Sequence, residues 1–101
     1  MSKIAVIAKL TAADGKRDDL VAAIGPLMEA VEAEEGTEVY ALHTDLGDEN
    51  VVWFYERYTD NAALDSHSSS EAMAAFGASL GDLLGGAPEI MLLDPVSATG
   101  L

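Results

Sequence analysis

The chain has 101 residues, with 18 acidic against 5 basic side chains, a formal net charge of −13 and half of its residues hydrophobic. So acidic a balance excludes the basic footprint that nucleic acid or an anionic membrane surface demands. The lack of Cys excludes disulfides, thiolate zinc sites and Cys nucleophiles.

That length suits one domain over residues 1–101, with a single core and something to gain from dimerisation. The apolar fraction argues against disorder. The acidity reads first as a solvated surface, with adaptation to high salt as the alternative. The N-terminus carries Lys3 and then a short apolar run, too short for a signal peptide or a membrane span. A cytoplasmic location is expected.

Lys3 to Thr11 opens the chain as a strand. Ile4, Val6, Ala8 and Leu10 face one way and Ala5, Ile7 and Lys9 the other, so both faces are mostly apolar. After the turn Ala12-Ala13-Asp14-Gly15-Lys16, a helix is expected from about Arg17 to Glu35. Leu20, Ile24, Leu27 and Val31 form its apolar stripe, and Asp18 and Asp19 suit the dipole of its first turn. Pro26 falls mid-helix and predicts a kink. Glu29, Glu32 and Glu35 make a back face, and Gly36 is placed for a left-handed cap.

Thr37 to Asp45 is a second strand, with Val39, Ala41 and His43 on one face and Tyr40, Leu42 and Thr44 on the other. The polar turn Gly47-Asp48-Glu49-Asn50 leads directly into a third strand, Val51 to Thr59, so the two make an antiparallel hairpin. Asp60 is an N-cap candidate for a short helix, Asn61 to His67. Ser68 and Glu71 then match capping-box spacing for another helix start. Met73, Phe76, Leu80 and Leu83 give that segment its stripe, and Gly85-Gly86-Ala87-Pro88 stops it. Glu89 to Val96 is a fourth strand and residues 97–101 a tail.

Strand, helix, strand, strand, helix, strand is the ferredoxin-like βαββαβ order of an α+β fold, a four-stranded antiparallel sheet with both helices on one face. Helices cover one side only, yet the first and fourth strands are apolar on both. A second copy packed sheet to sheet is the simplest cover, which predicts a homodimer.

The run from Val51 to His67 concentrates the only Trp, two of three Tyr and one of two His. Its core, Phe54-Tyr55-Glu56-Arg57-Tyr58-Thr59-Asp60, then Ala63-Leu64, then His67, resembles the antibiotic biosynthesis monooxygenase-type domains, the dimeric α+β barrel proteins. The likeness extends over roughly residues 3–96 by element order and length. It implies a small protein that oxidises an aromatic or quinol substrate with molecular oxygen and uses no flavin, metal or haem. Such a protein need only deprotonate the substrate, hold it away from water and position oxygen. No Gly-rich phosphate loop or metal-ligand cluster appears in the sequence. The haem-degrading branch of the superfamily is disfavoured: strand one has no Asn, His67 falls near the Trp expected there, and the ligand region reads Phe76-Gly77. A rival of another class is a non-catalytic dimeric ligand-binding or stress-related domain of the same fold.

His67 is the leading general base, because an unperturbed His titrates near neutral pH. The alternative is a core His satisfied by a neighbour, with Glu56 the expected partner, and the two readings are compatible. Strand alternation separates Trp53, Tyr55 and Arg57 from Phe54, Glu56 and Tyr58. Only the second set can meet His67, so a cavity is expected there. Phe54, Tyr58, Tyr40, Phe76 and Met73 are the candidate substrate contacts, against a competing core or interface role for each. His43 reads as a surface or interface residue and Arg57 as the partner of a carboxylate.

Overall fold

The computed structural model describes residues 3–100. Its elements run β1 (Ile4–Thr11), α1 (Arg17–Val31), β2 (Thr37–Thr44), β3 (Val51–Tyr58), α2 (Asn61–Ser68), α3 (Glu71–Ser79) and β4 (Glu89–Leu93). The four strands form one sheet in the order β2-β3-β1-β4, and every neighbouring pair is antiparallel. This is the ferredoxin-like α+β fold, with the second helical region split into α2 and α3.

Register decides which side chains share a face. Across the sheet, Tyr40, Glu56, Val6 and Leu92 stand in one row, and Leu42, Phe54, Ala8 and Ile90 in the next. Both rows face the helices, where Ala8, Leu10, Val52 and Phe54 join Leu20 and Ile24 of α1 in the core. Leu27 and Val31 complete the buried stripe of α1, as the helical spacing predicts. On the opposite face Ala41, Tyr55, Ile7 and Met91 form a row that no described element of the chain covers.

Several boundaries differ from expectation, each for a local reason. Helix α1 stops at Val31, four residues early, and runs unbroken through Pro26. Two tight turns then carry the chain through Glu34 to β2. The cap of α3 is Ser70, whose Oγ accepts from Met73 N–H at 3.2 Å. Ser68 is still helical in α2 and so cannot play that part. Asp60 caps α2 as expected, accepting from Ala63 N–H at 2.8 Å. Strand β4 ends at Leu93, opposite Ala5 of β1 and short of Pro95, which has no N–H to donate.

Gly36 is not a left-handed cap. Among the described residues, positive φ occurs only at Gly15, Gly81 and Gly100. Gly36 is instead where two backbones meet: a Cβ built there would lie 2.4 Å from Ala63 Cβ. The same contact is tied by Thr59 N–H donating to the Gly36 carbonyl at 3.0 Å. The α1–β2 turn therefore rests directly on α2. Gly36→Ala should destabilise the fold by about 1–3 kcal/mol through overpacking, measured by chemical denaturation. Ala63→Gly in the same chain should recover part of that loss, and an unchanged midpoint for Gly36→Ala would contradict the close approach.

Candidate functional site

Between the sheet and α2–α3 lies a cavity of about 450 Å³. Its floor is Val6, Ala8 and Leu10 of β1, Phe54 and Glu56 of β3, and Tyr40 of β2. Leu64 and His67 of α2 with Met73, Phe76 and Leu80 from α3 and its end form the roof, and Pro88, Ile90 and Leu92 stand at one side. Ile90 and Leu92 are each 64% exposed, so that side is the mouth. The lining is apolar but for a few groups, the pattern of a small-molecule site.

His67 is the one buried residue of α2 and only 4% exposed. Its Nδ1 lies 2.9 Å from Glu34 Oε1, and Thr37 Oγ1 donates to the same oxygen at 2.7 Å. An ionised carboxylate can only accept, so Nδ1 is the donor of this pair, and in the neutral tautomer that fits it Nε2 carries no proton. Nε2 has no hydrogen-bond partner among the described residues. Among the described residues no side-chain nitrogen or oxygen is both sealed off and unpartnered, so Nε2 opens onto free space. The ring borders the cavity on one side and, on the other, an outer cleft that also holds Glu34 and Ser66.

The expected Glu56–His67 hydrogen bond is not made. Glu56, 6% exposed, accepts instead from Tyr58 O–H at 2.5 Å. Burial raises the Glu56 carboxyl above its ordinary value; the Tyr58 hydrogen bond and His67 pull it partly back, and Glu34 adds to the rise. Tyr58 is wholly buried and does not line the cavity, so it holds Glu56 rather than facing a ligand. Burial, then the Glu56 contact, pushes its phenol well up, and burial does the same to Tyr40. Both phenols are held neutral, and Tyr58 is the one that donates to Glu56. Tyr40 packs on Phe54 and on His67 with ring centroids 5.1 Å apart in each case.

Phe54, Tyr40, Phe76 and Met73 do border the cavity with Glu56 and His67. The other aromatic set lies across the sheet, where Trp53 Nε1 donates to Asp45 at 2.7 Å and Arg57 Nε to Glu38 at 2.7 Å. His43 is exposed beside Trp53. Among the described residues no group of three or more His, Asp or Glu side chains is arranged to hold a metal ion. Among the described residues no helix is long and apolar enough to cross a membrane.

Glu34 was not legible as a site residue. It falls just past the apolar stripe of α1, among Glu29, Glu32 and Glu35, and lies 33 residues from His67 in sequence. The one trace is Gly36, whose missing side chain signals a close approach without naming what approaches.

A family model described as antibiotic biosynthesis monooxygenase matches residues 3–79. Among solved structures, a Caulobacter crescentus protein provisionally named an antibiotic biosynthesis monooxygenase is 31% identical, with a TM-score of 0.90 over 95% of this chain and 92% of that one. A Pseudomonas aeruginosa protein is 29% identical, with a TM-score of 0.87 over 96% and 97% of the two chains. One from Mycobacterium tuberculosis is 28% identical, with a TM-score of 0.88 over 98% and 100%. No functionally curated protein matches the sequence.

Burial of Glu56 has a consequence for stability. Its raised value means that folding favours the protonated form, so its contribution is fully present below the ordinary value of 4.5 and is lost as pH rises through the folded value. Glu56→Gln keeps an acceptor for Tyr58 and removes the charge. The variant should gain thermal stability over the parent as pH rises toward neutrality, with the gap closing in acid. A gap independent of pH would contradict the burial argument.

Proposed function

This chain belongs to the antibiotic biosynthesis monooxygenase family, and from that premise we propose that it oxidises a small aromatic or quinol substrate with molecular oxygen and no cofactor. The observation that carries the reading is a single imidazole at the wall of an apolar cavity, with its Nδ1 engaged by Glu34 and its Nε2 free. A ring held that way is set to take a proton from a ligand in the cavity.

His67 is the base. Removing the proton of a bound phenol or hydroquinone makes an electron-rich anion able to give electrons to oxygen directly. In the anthrone-type case one oxygen atom becomes the new carbonyl, and the other leaves as water with the two hydrogens lost from that carbon. The CH2 carbon gives up the four electrons that the two oxygen atoms take, so the balance needs no other reductant. Glu34 is a positioning residue: it orients the ring, offsets the positive charge that forms on it, and lies toward the outer cleft through which the proton can reach water. Tyr40, Phe54, Phe76 and Met73 enclose the ring system, and Glu56 faces it from the floor. The uncovered sheet face, with Tyr55, Ile7 and Met91, is read as the surface that a second copy covers in a cytoplasmic homodimer.

Oxygen uptake with a panel of hydroquinones and anthrones tests the proposal. His67→Ala should lower kcat by about 10²–10⁴-fold, the usual contribution of a general base. Glu34→Gln should lower kcat by less and leave KM nearly unchanged, because Glu34 does not border the cavity. Uptake indifferent to His67→Ala would remove the base. Aromatic binding without any uptake would replace the enzyme by a ligand-binding domain.

A further inference from the structure

The cavity has acceptors and no cation. Its floor holds Glu56, its rim Asp65, and Glu34 stands behind His67; neither Lys nor Arg is among its lining residues. All 5 basic side chains of the chain are described and all are engaged elsewhere. Lys3 and Arg57 both bind Glu38. Lys9 lies over the Trp53 ring on the uncovered face and within 3.8 Å of Glu89. Lys16 is 4.0 Å from Asp19, and Arg17 donates to the Asp45 and Asp48 carbonyls. The one other His, His43, is exposed on the far side of the sheet.

A ligand carrying a permanent anionic group would therefore lose its hydration to a largely apolar cavity and find neither Lys nor Arg to pair with, while His67, the one group there able to take a positive charge, is already paired with Glu34; Asp65 at the rim adds repulsion. A hydroxyl is treated differently. Nε2 of His67 and the Glu56 oxygen not engaged by Tyr58 are both free of protein partners, and each can accept from a ligand O–H.

We infer that the site selects an uncharged aromatic carrying two hydroxyl donors and discriminates against the same ring bearing a carboxylate or sulfonate. This rests on the functional reading above, but adds a charge rule that reading does not contain. The rule follows from where the five bases are placed, and the two free acceptors supply the positive half of the selection. Ile90 and Leu92, apolar, exposed and at the mouth, are the positions at which the rule can be changed without touching the core.

Anaerobic calorimetric titration near neutral pH tests it with three probes: naphthohydroquinone, its ring sulfonate, and its ring carboxamide as a neutral control for size. The parent and the carboxamide should bind comparably, and the sulfonate at least about 100-fold more weakly, as expected of an unpaired charge in a low-dielectric site. Leu92→Lys, a substitution at the exposed mouth, should narrow the parent-to-sulfonate affinity ratio by about tenfold or more, and an unchanged ratio would count against the charge rule. Equal affinity for parent and sulfonate, with oxygen uptake intact, would overturn the charge rule and leave the proposed function standing. Equal rejection of carboxamide and sulfonate would also overturn it, since size would then be the filter. Binding of none of the three would overturn both readings together.

Discussion

The site depends on one close approach. Gly36 lets the turn after α1 lie against Ala63 of α2, and that contact brings Glu34 to the Nδ1 of His67. Neither residue is positioned by its own element alone: Glu34 is in a turn, and α2 is a short helix of eight residues. What holds them is the set of bonds around the crossing, from Thr37 to Glu34, from Thr59 to the Gly36 carbonyl and from Ala63 to Asp60. A buried imidazole without a partner would cost the fold a full desolvation penalty, and the carboxylate removes that cost while orienting the ring.

The sheet divides the chemistry in two. Its helix-covered face carries the cavity, with Glu56 and Phe54 of β3 beside Tyr40 of β2. The other face carries Trp53, Tyr55 and Arg57, with nearly all the basic charge of the sheet tied to Glu38 and Glu89. Strand alternation thus separates cations from cavity. The result is an interior that is apolar and acceptor-rich inside a strongly acidic protein.

Glu56 is the expensive residue. Burying a carboxyl disfavours its charged form, and Tyr58 is spent on holding it. A core with an apolar residue there would be more stable, and natural folds keep such groups mainly where a site requires them. The same reasoning applies to Ile90 and Leu92: apolar side chains left exposed at the mouth of a cavity cost solubility and serve contact with a ligand or another surface.

The amino-acid sequence by itself determined the element order, the apolar stripe of α1, the cap at Asp60 and the two faces of β3, because each is written in local periodicity of 3.6 or 2 residues. It also pointed to His67, Glu56 and the aromatic residues now found around one cavity. It could not determine that His67 pairs with Glu34 rather than Glu56, nor that Tyr58 turns to Glu56 instead of the ligand space. Those choices join residues up to 33 positions apart and turn on how closely a loop and a helix pack. Only the tertiary structure decided them, because a missing methyl group at Gly36 has no periodicity to read.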